Sequence, residues 1–259
     1  MTGAVASQRP GPQIPPQDPA RLLAALPQGL AVINLTVARR RGPELVVHAL
    51  CVPPGERHAV LGPAGAGTTL LLDLVHGTRH PTGGRICWAG EDVTDQPVTR
   101  RARWLGRTHH KLSLVRSWSC LDNVLLGEQD PAVGQLASGL RLLDQIGLAG
   151  HADEPAGWLG LGQQRLLDVA VAVAGRPDLL LLDDPAAGLT DRDLRCLGRL
   201  LDGLPTSTAV LLTGHDTRLL GVVDWVTILR DGRRQASGTP ADVEADPAID
   251  HLRLCREQR

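Results

Sequence analysis

Apolar positions divide the chain into short extended runs and longer helical ones. Residues 30–37 (LAVINLTV) form a β-like run, and a second at 45–52 is closed by Pro53-Pro54-Gly55. A third, at 57–61, turns apolar at its end and runs straight into Gly62-Pro63-Ala64-Gly65-Ala66-Gly67. Residues 69–75 have helical composition and stop at His76-Gly77. Further on, residues 163–174 predict a helix that is apolar on most faces and halted by Gly175-Arg176-Pro177. The LLLL run at 179–182 then suits a strand buried on both faces. A helix over 191–204 leads to a buried strand at 209–213. Residues 226–229 turn through Asp231-Gly232 into 234–236 as a hairpin. Strands alternating with helices predict an α/β fold with a largely parallel sheet.

Two stretches depart from that rhythm. Residues 1–28 are rich in Pro, Gln and small side chains and read as an extension. From about 91 to 158 the pattern shortens and leans helical, most clearly at 136–146 before Gly147. The expected organisation is an extension at 1–28, a core from 29–91 and 159–259, and an inserted helical subdomain at 92–158.

Composition narrows the function classes. The 259 residues carry 27 Lys+Arg against 28 Asp+Glu, so there is no overall basic field to hold nucleic acid, and no nucleic-acid partner is expected. No run approaches the roughly 18 apolar residues of a spanning helix, and the N-terminal residues lack a signal-peptide layout. Five scattered cysteines without a CxxC pair argue for a reducing compartment and against a zinc site. Phe and Tyr are absent and Lys111 is the only lysine, so Leu, Val, Ala and five Trp residues must build the core.

The glycine loop carries the first chemistry. Gly62 to Gly67 matches GxxxxG after a strand and before a helix, where backbone N–H groups can converge on phosphate oxygens. The full phosphate-loop pattern continues with Lys and then Ser or Thr. Here Thr68 holds the lysine position, while Thr69 keeps the hydroxyl that would ligate Mg2+. The run at 179–182 ends in Asp183-Asp184, two carboxylates at a strand tip suited to a metal and to an attacking water. The plainer role for the pair is a cap on the next helix. His215, just after the strand at 209–213, should emerge at the same sheet edge.

Taken with their order and spacing, these segments resemble the ATP-binding subunit of an ABC transporter over residues 30–254. The resemblance is strongest to importers of branched-chain amino acids and urea. GPAGAGTTLLLDLVHGTRHPTGGRI is similar to the Walker A segment, and GRTHHKLSLVRSWSCLDNVLLG to the Gln-loop segment. LGLGQQRLLDVAVAVAGRPDLLLLDDPAAGL is similar to the run from signature motif to D-loop, and LLTGHD to the switch-histidine segment. The Thr190-Asp191 pair after AAGL is like the urea branch. The resemblance implies a P-loop ABC ATPase core with a mostly parallel sheet, a small antiparallel β region and the inserted helical subdomain. It implies ATP and Mg2+ as cofactors, with ATP at Gly62, Pro63, Ala64, Gly65, Ala66, Gly67, Thr68, Thr69 and Leu70. Mg2+ would be held by Thr69, Asp183 and His110, with Asp184, His215 and His110 in the hydrolytic chemistry. Gly160, Gly162 and Gln163 of the signature would face the nucleotide of a second ATP-binding subunit, the same chain or a different one. The pair would drive membrane-spanning permease subunits from the cytoplasmic face of the plasma membrane, for uptake of urea, amides or branched-chain amino acids.

The departures from the family pattern are as informative. Thr68 cannot supply the lysine's charge-assisted hydrogen bond, a loss of roughly 1.5–3 kcal/mol, felt further in a charge-building transition state. Asp184 is one methylene shorter than the expected glutamate. His110 replaces the glutamine, Gly160 the signature serine, and Arg39 the aromatic that stacks on adenine. A guanidinium can stack on a base, but Arg39-Arg40-Arg41 can equally be a solvated turn. Two readings stay open: a working ATPase subunit, supported by Thr69, Asp183 and His215, or a pseudo-ATPase beside an intact partner, supported by Thr68, Asp184, His110 and Gly160. His76 and His80 make a poor ligand pair because Gly77 and Pro81 break the helix between them. His109-His110 reads as loop, and Asp144 and Gln145 as helix surface.

Overall fold

A computed structural model describes residues 29–39, 42–128, 135–246 and 249. The expected extension at 1–28, Arg40, Arg41 and the side chain of Arg39 lie outside the described residues.

Ten strands form one sheet. They are β1 Leu30–Arg39, β2 Gly42–Val52, β3 Arg57–Leu61, β4 Gly83–Trp88, β5 Glu91–Asp92, β6 Leu105–Arg107, β7 Leu179–Asp183, β8 Ala209–Gly214, β9 Trp225–Arg230 and β10 Arg233–Gly238. Their spatial order is β5-β4-β1-β2-β10-β9-β3-β8-β7-β6. The block β9-β3-β8-β7-β6 is parallel throughout, whereas β1 pairs antiparallel with both β2 and β4, and β9 with β10. A mixed sheet is therefore the architecture, with the parallel block that the strand-helix rhythm predicts on one side and an antiparallel region on the other.

Alternation along the parallel strands builds two cores. Leu180, Leu182, Val210 and Leu212 face one side; Leu179, Leu181, Ala209 and Leu211 face the other. Helix α1 (Thr68–His76) packs its leucines against the second face. The first face receives α5 (Leu161–Ala174) and α6 (Asp191–Asp202). Also on that side are α3 (Cys120–Gly127), capped by the Ser119 side chain, and α4 (Gln135–Gln145), after the short α2 (Val98–Arg101). The last helix, α7 (Pro240–Glu244), is capped by Thr239. Trp88 and Trp104 stack with ring centroids 4.9 Å apart, replacing the aromatic area a Phe or Tyr core would supply.

Three strands within weakly patterned sequence, β4, β5 and β6, were not expected. β4 is exposed over its first half, and β6 is three residues long inside the stretch read as helical. Neither length nor alternation can announce such strands. β6 nonetheless closes the parallel block beside β7 and so delivers residues 108–110 to the same edge as the glycine loop.

Helix α1 is held at its far end by a buried arginine. Arg101 is fully buried, and its guanidinium donates to the carbonyls of Leu74, Val75, Val93, Thr94 and Gln96. Two of those carbonyls belong to the last turn of α1, where backbone oxygens lack helical partners and the dipole is negative. The chain must leave the helix without crowding this group. Gly77 does so at φ 91°, and a Cβ there would sit 3.0 Å from the guanidinium carbon. Arg101→Ala should lower the unfolding free energy by about 3 kcal/mol or more, because several buried acceptors lose their donor together. Arg101→Lys should recover less than half of that loss, since an ammonium cannot fork to five carbonyls. Urea unfolding measures both, and a loss below about 1 kcal/mol for the alanine variant would contradict the clamp.

Candidate nucleotide site

The four parallel strands β3, β8, β7 and β6 present their carboxyl ends together, which is where crevices form in open α/β sheets. β3 runs into the glycine loop, β7 into Asp183-Asp184, β8 into Gly214-His215, and β6 into Thr108-His109-His110. Sequence-distant groups are thereby gathered at one edge.

The loop is shaped to leave donors free. Ala66 N–H turns back to Pro63 O at 3.0 Å, and Gly62 N–H donates to Gly214 O at 3.0 Å, anchoring the loop's first residue to β8. Gly67 sits at φ 95° as the N-cap of α1, and its carbonyl accepts from Leu71 N–H at 2.9 Å. Only glycine enters that left-handed geometry without penalty. The N–H groups of the first turn of α1 have no helical acceptor, so they and the helix dipole favour an anion over the loop. Ala64, Gly65 and Thr69 are exposed, Pro63, Gly67 and Thr68 half-buried, and Ala66 buried. Leu70 points its side chain into the core, so only its main chain could serve a ligand.

Asp183 is the hub. It is 2% exposed, and its Oδ1 accepts from Thr69 Oγ1 and from Thr213 Oγ1, each at 3.1 Å. Its own N–H donates to Thr108 Oγ1 at 3.2 Å. One residue thus joins three elements, α1 and β8 through its carboxylate and the end of β6 through its main-chain N–H. Thr108 and Thr213 were not legible as site residues, because a threonine at a strand end reads as an ordinary β-former. An exposed hydroxyl facing a buried carboxylate is a hard-oxygen pair of the kind that holds Mg2+ jointly with nucleotide phosphates and water. The donor set fits such an ion. Among the described residues no group of three or more His, Cys, Asp or Glu side chains could hold a metal alone.

Asp184 follows at φ 49°, a left-handed conformation that Asp tolerates better than most residues. Its Oδ2 lies 3.4 Å from His215 Nδ1, and its buried Oδ1 has no hydrogen-bond partner. Burial pushes its carboxyl above the usual range, while the His215 and His110 imidazoles and Arg165 pull the other way. His110 is exposed and acts on Asp184 through charge. Arg165, another residue the sequence did not single out, donates from Nη1 to the carbonyls of His109 and His110 at 3.2 Å each and so fixes that loop. His76, unsuited to pair with His80, instead meets His109 edge-on at 6.0 Å.

The signature residues have different neighbours. Gly160 N–H donates to Gln163 Oε1 at 3.0 Å, closing the start of α5. A Cβ on Gly162 would meet Gly188 O and Asp193 Oδ2, each at 3.0 Å. Hydrogen bonds thus gather Thr69, Asp183, Thr213 and Thr108, and charge gathers Asp184, His215 and His110. Gly160, Gly162 and Gln163 keep to their own helix start.

Asp168 secures the His110 loop from below: Oδ1 accepts from Ser113 N–H at 3.1 Å, and Oδ2 is buried without a partner. Burial raises its carboxyl from 3.8 to about 6. The neutral acid is therefore favoured in the folded state, and ionisation weakens the fold as pH rises from about 4 to about 6. Asp168→Asn should remove that slope and leave the variant relatively more stable above pH 6, by up to about 3 kcal/mol. Parallel stability–pH profiles for the two proteins would contradict this.

The ABC transporter family model matches residues 47–187. The high-affinity branched-chain amino acid transport ATP-binding protein LivG of Salmonella typhimurium is 31% identical over 244 residues, 85% of this chain and 95% of that protein. The Fe(3+) ions import ATP-binding protein FbpC of Rhizobium etli is 34% identical over 209 residues, 77% of this chain and 58% of that protein. In structure, the ADP conformation of an ATP-binding cassette of an ABC transporter superposes with a TM-score of 0.76 at 18% identity, over 88% of this chain and 98% of that one. Together with the site at the carboxyl edge of the sheet, the family match has one conclusion: this chain belongs to the ABC transporter family, as one of its ATP-binding domains.

Proposed function

We propose that the chain is the ATP-binding subunit of an importer, binding Mg-ATP across the glycine loop and Asp183 and coupling the nucleotide cycle to uptake of a small polar solute. The observation that carries this reading is the bond from Thr69 to Asp183, which joins the anion-binding loop to a buried carboxylate at the point where a phosphate-bound cation belongs. The likeness to LivG favours branched-chain amino acids as the solutes, while urea or amides rest on the Thr190-Asp191 pair after AAGL. The match to an iron importer is consistent with solute choice residing in other subunits.

Residues 29–91 and 159–259 would form the nucleotide core, joined by β6 from within 92–158, and the helical part of 92–158 would form the lever. No helix among the described residues is long and apolar enough to cross a membrane. As an importer's ATP-binding subunit, the chain would work peripherally, on the cytoplasmic face. Trp118 and Trp158 support a docking role for the lever. They are 46% and 78% exposed, and their segments are joined by Ala156 N–H to Trp118 O at 2.8 Å. Membrane-spanning permease subunits would cover them. Gly160, Gly162 and Gln163 would face a second ATP-binding subunit, identical or different, while Arg39 would lie against adenine.

Hydrolysis would be slow. Thr68 brings no positive charge to the loop, and the short Asp184 side chain is drawn back beside Gly214, one oxygen buried and unpartnered. These features favour, as the second reading, a nucleotide-binding half that depends on an intact partner for turnover. Thr68→Lys with Asp184→Glu should raise steady-state ATP hydrolysis at least about tenfold, since a restored charge-assisted hydrogen bond is worth roughly 1.5–3 kcal/mol. Unchanged turnover in a folded double variant that binds ATP would show that these two positions are not limiting.

A further inference from the structure

A cavity of about 670 Å³ lies away from the nucleotide site and is lined by Arg57, Arg192, Arg195 and Arg199, with Asp202 as its one carboxylate. Arg57 opens β3 at the end opposite the glycine loop, and Asp202 ends α6. No residue of the phosphate loop, the Asp183 hub or the signature reaches it.

The charges here are poorly compensated. Arg57 is occupied: its Nη2 pairs with Asp202 at 2.8 Å, and its main-chain N–H donates to Asp224 at 2.9 Å. Arg199 reaches only the Cys196 sulfur, at 3.1 Å, a weak acceptor. Arg192 and Arg195 have no ion-pair or hydrogen-bond partner among the described residues. The remaining acids of α6 are engaged elsewhere, Asp191 with Arg218 and Asp193 with its capping partner Thr190. Arg192, Arg195 and Arg199 are spaced three and four apart, so they share one helix face and repel one another. Arg192 also lies in the first turn, where the helix dipole disfavours a cation.

The opposite wall is small and uncharged. Gly221 and Val222 come from the short 3₁₀ helix Thr217–Val222, and a Cβ on Gly221 would meet nothing within 4 Å. This leaves Arg192, Arg195 and Arg199 lining an open bay of small-molecule size, with guanidinium donors available to a ligand. From this geometry we propose that the cavity is a second anion site, taking a phosphorylated small molecule with at least two negative charges, and independent of the nucleotide-site reading. Guanidinium forks match phosphate oxygens bidentately, and a polyanion would relieve the repulsion along α6.

The test is calorimetric titration of inorganic triphosphate into the full chain. Gly67→Val disables the phosphate loop, and Arg192→Gln/Arg195→Gln/Arg199→Gln, all on exposed positions, removes the cavity charges. The expected result is binding that survives Gly67→Val and weakens at least tenfold in the triple variant. Should Gly67→Val fail to fold, the wild-type chain should still lose one class of sites when the three arginines are replaced. In the Gly67→Val background, arginine-dependent binding of a nucleoside triphosphate tenfold tighter than that of inorganic triphosphate would identify a nucleotide as the source. Equal affinities would identify the polyphosphate group alone, and both results support the site. Affinity unchanged by the arginine replacements would overturn it. So would arginine-dependent binding of a polyglutamate peptide with none of triphosphate, which would make the surface a protein-docking one.

Discussion

The site depends on one buried carboxylate. Asp183 is enclosed at the end of a five-residue apolar strand, where an unpaired charge would be costly. Two threonine hydroxyls from different elements donate to it and answer that cost, while a third, on Thr108, accepts from the Asp183 main-chain N–H. The requirement fixes the registers of three strands and the position of α1 together, because each hydroxyl must lie at the end of its own element. The same contacts leave Thr69 exposed at the mouth of the loop, so the stabilising network and the ligand-binding edge share an atom.

Helix α1 is then fixed at both ends by opposite means. Its N-terminus carries free donors and a glycine cap, with the dipole's positive end towards the loop. Its C-terminus is closed by Arg101, whose fork donates to the last-turn carbonyls of Leu74 and Val75. A helix held this way keeps its first-turn N–H groups at fixed positions, as an anion site requires. The His110 loop is positioned by a comparable pair, Arg165 on two carbonyls and Asp168 on the Ser113 N–H.

Legibility in the sequence followed the physics of each element. β3, β7 and β8 read correctly because strands buried on both faces are continuous apolar runs, and α5 and α6 because helical spacing persists over several turns. β4 and β6 did not, one being half exposed and the other three residues long. That Gly62 to Gly67, Asp183, Asp184 and His215 share one sheet edge was legible, because each lies at or directly after the end of an apolar strand run. Thr108, Thr213, Arg101 and Arg165 act through contacts 26 to 75 residues away, and their residue types are common, so no local pattern marks them. The cavity on α6 was also invisible: its arginines stand in a chain that uses arginine for nearly every cation.

The most direct test of the Asp183 hub as the centre of a nucleotide site is calorimetry of ATP binding to the intact chain, with and without Mg2+, beside the Asp183→Asn variant. The account predicts ATP binding that tightens with Mg2+ in the wild-type chain, and loss of that Mg2+ dependence in the variant. Absence of ATP binding in the wild-type chain, or identical Mg2+ dependence in both proteins, would contradict it.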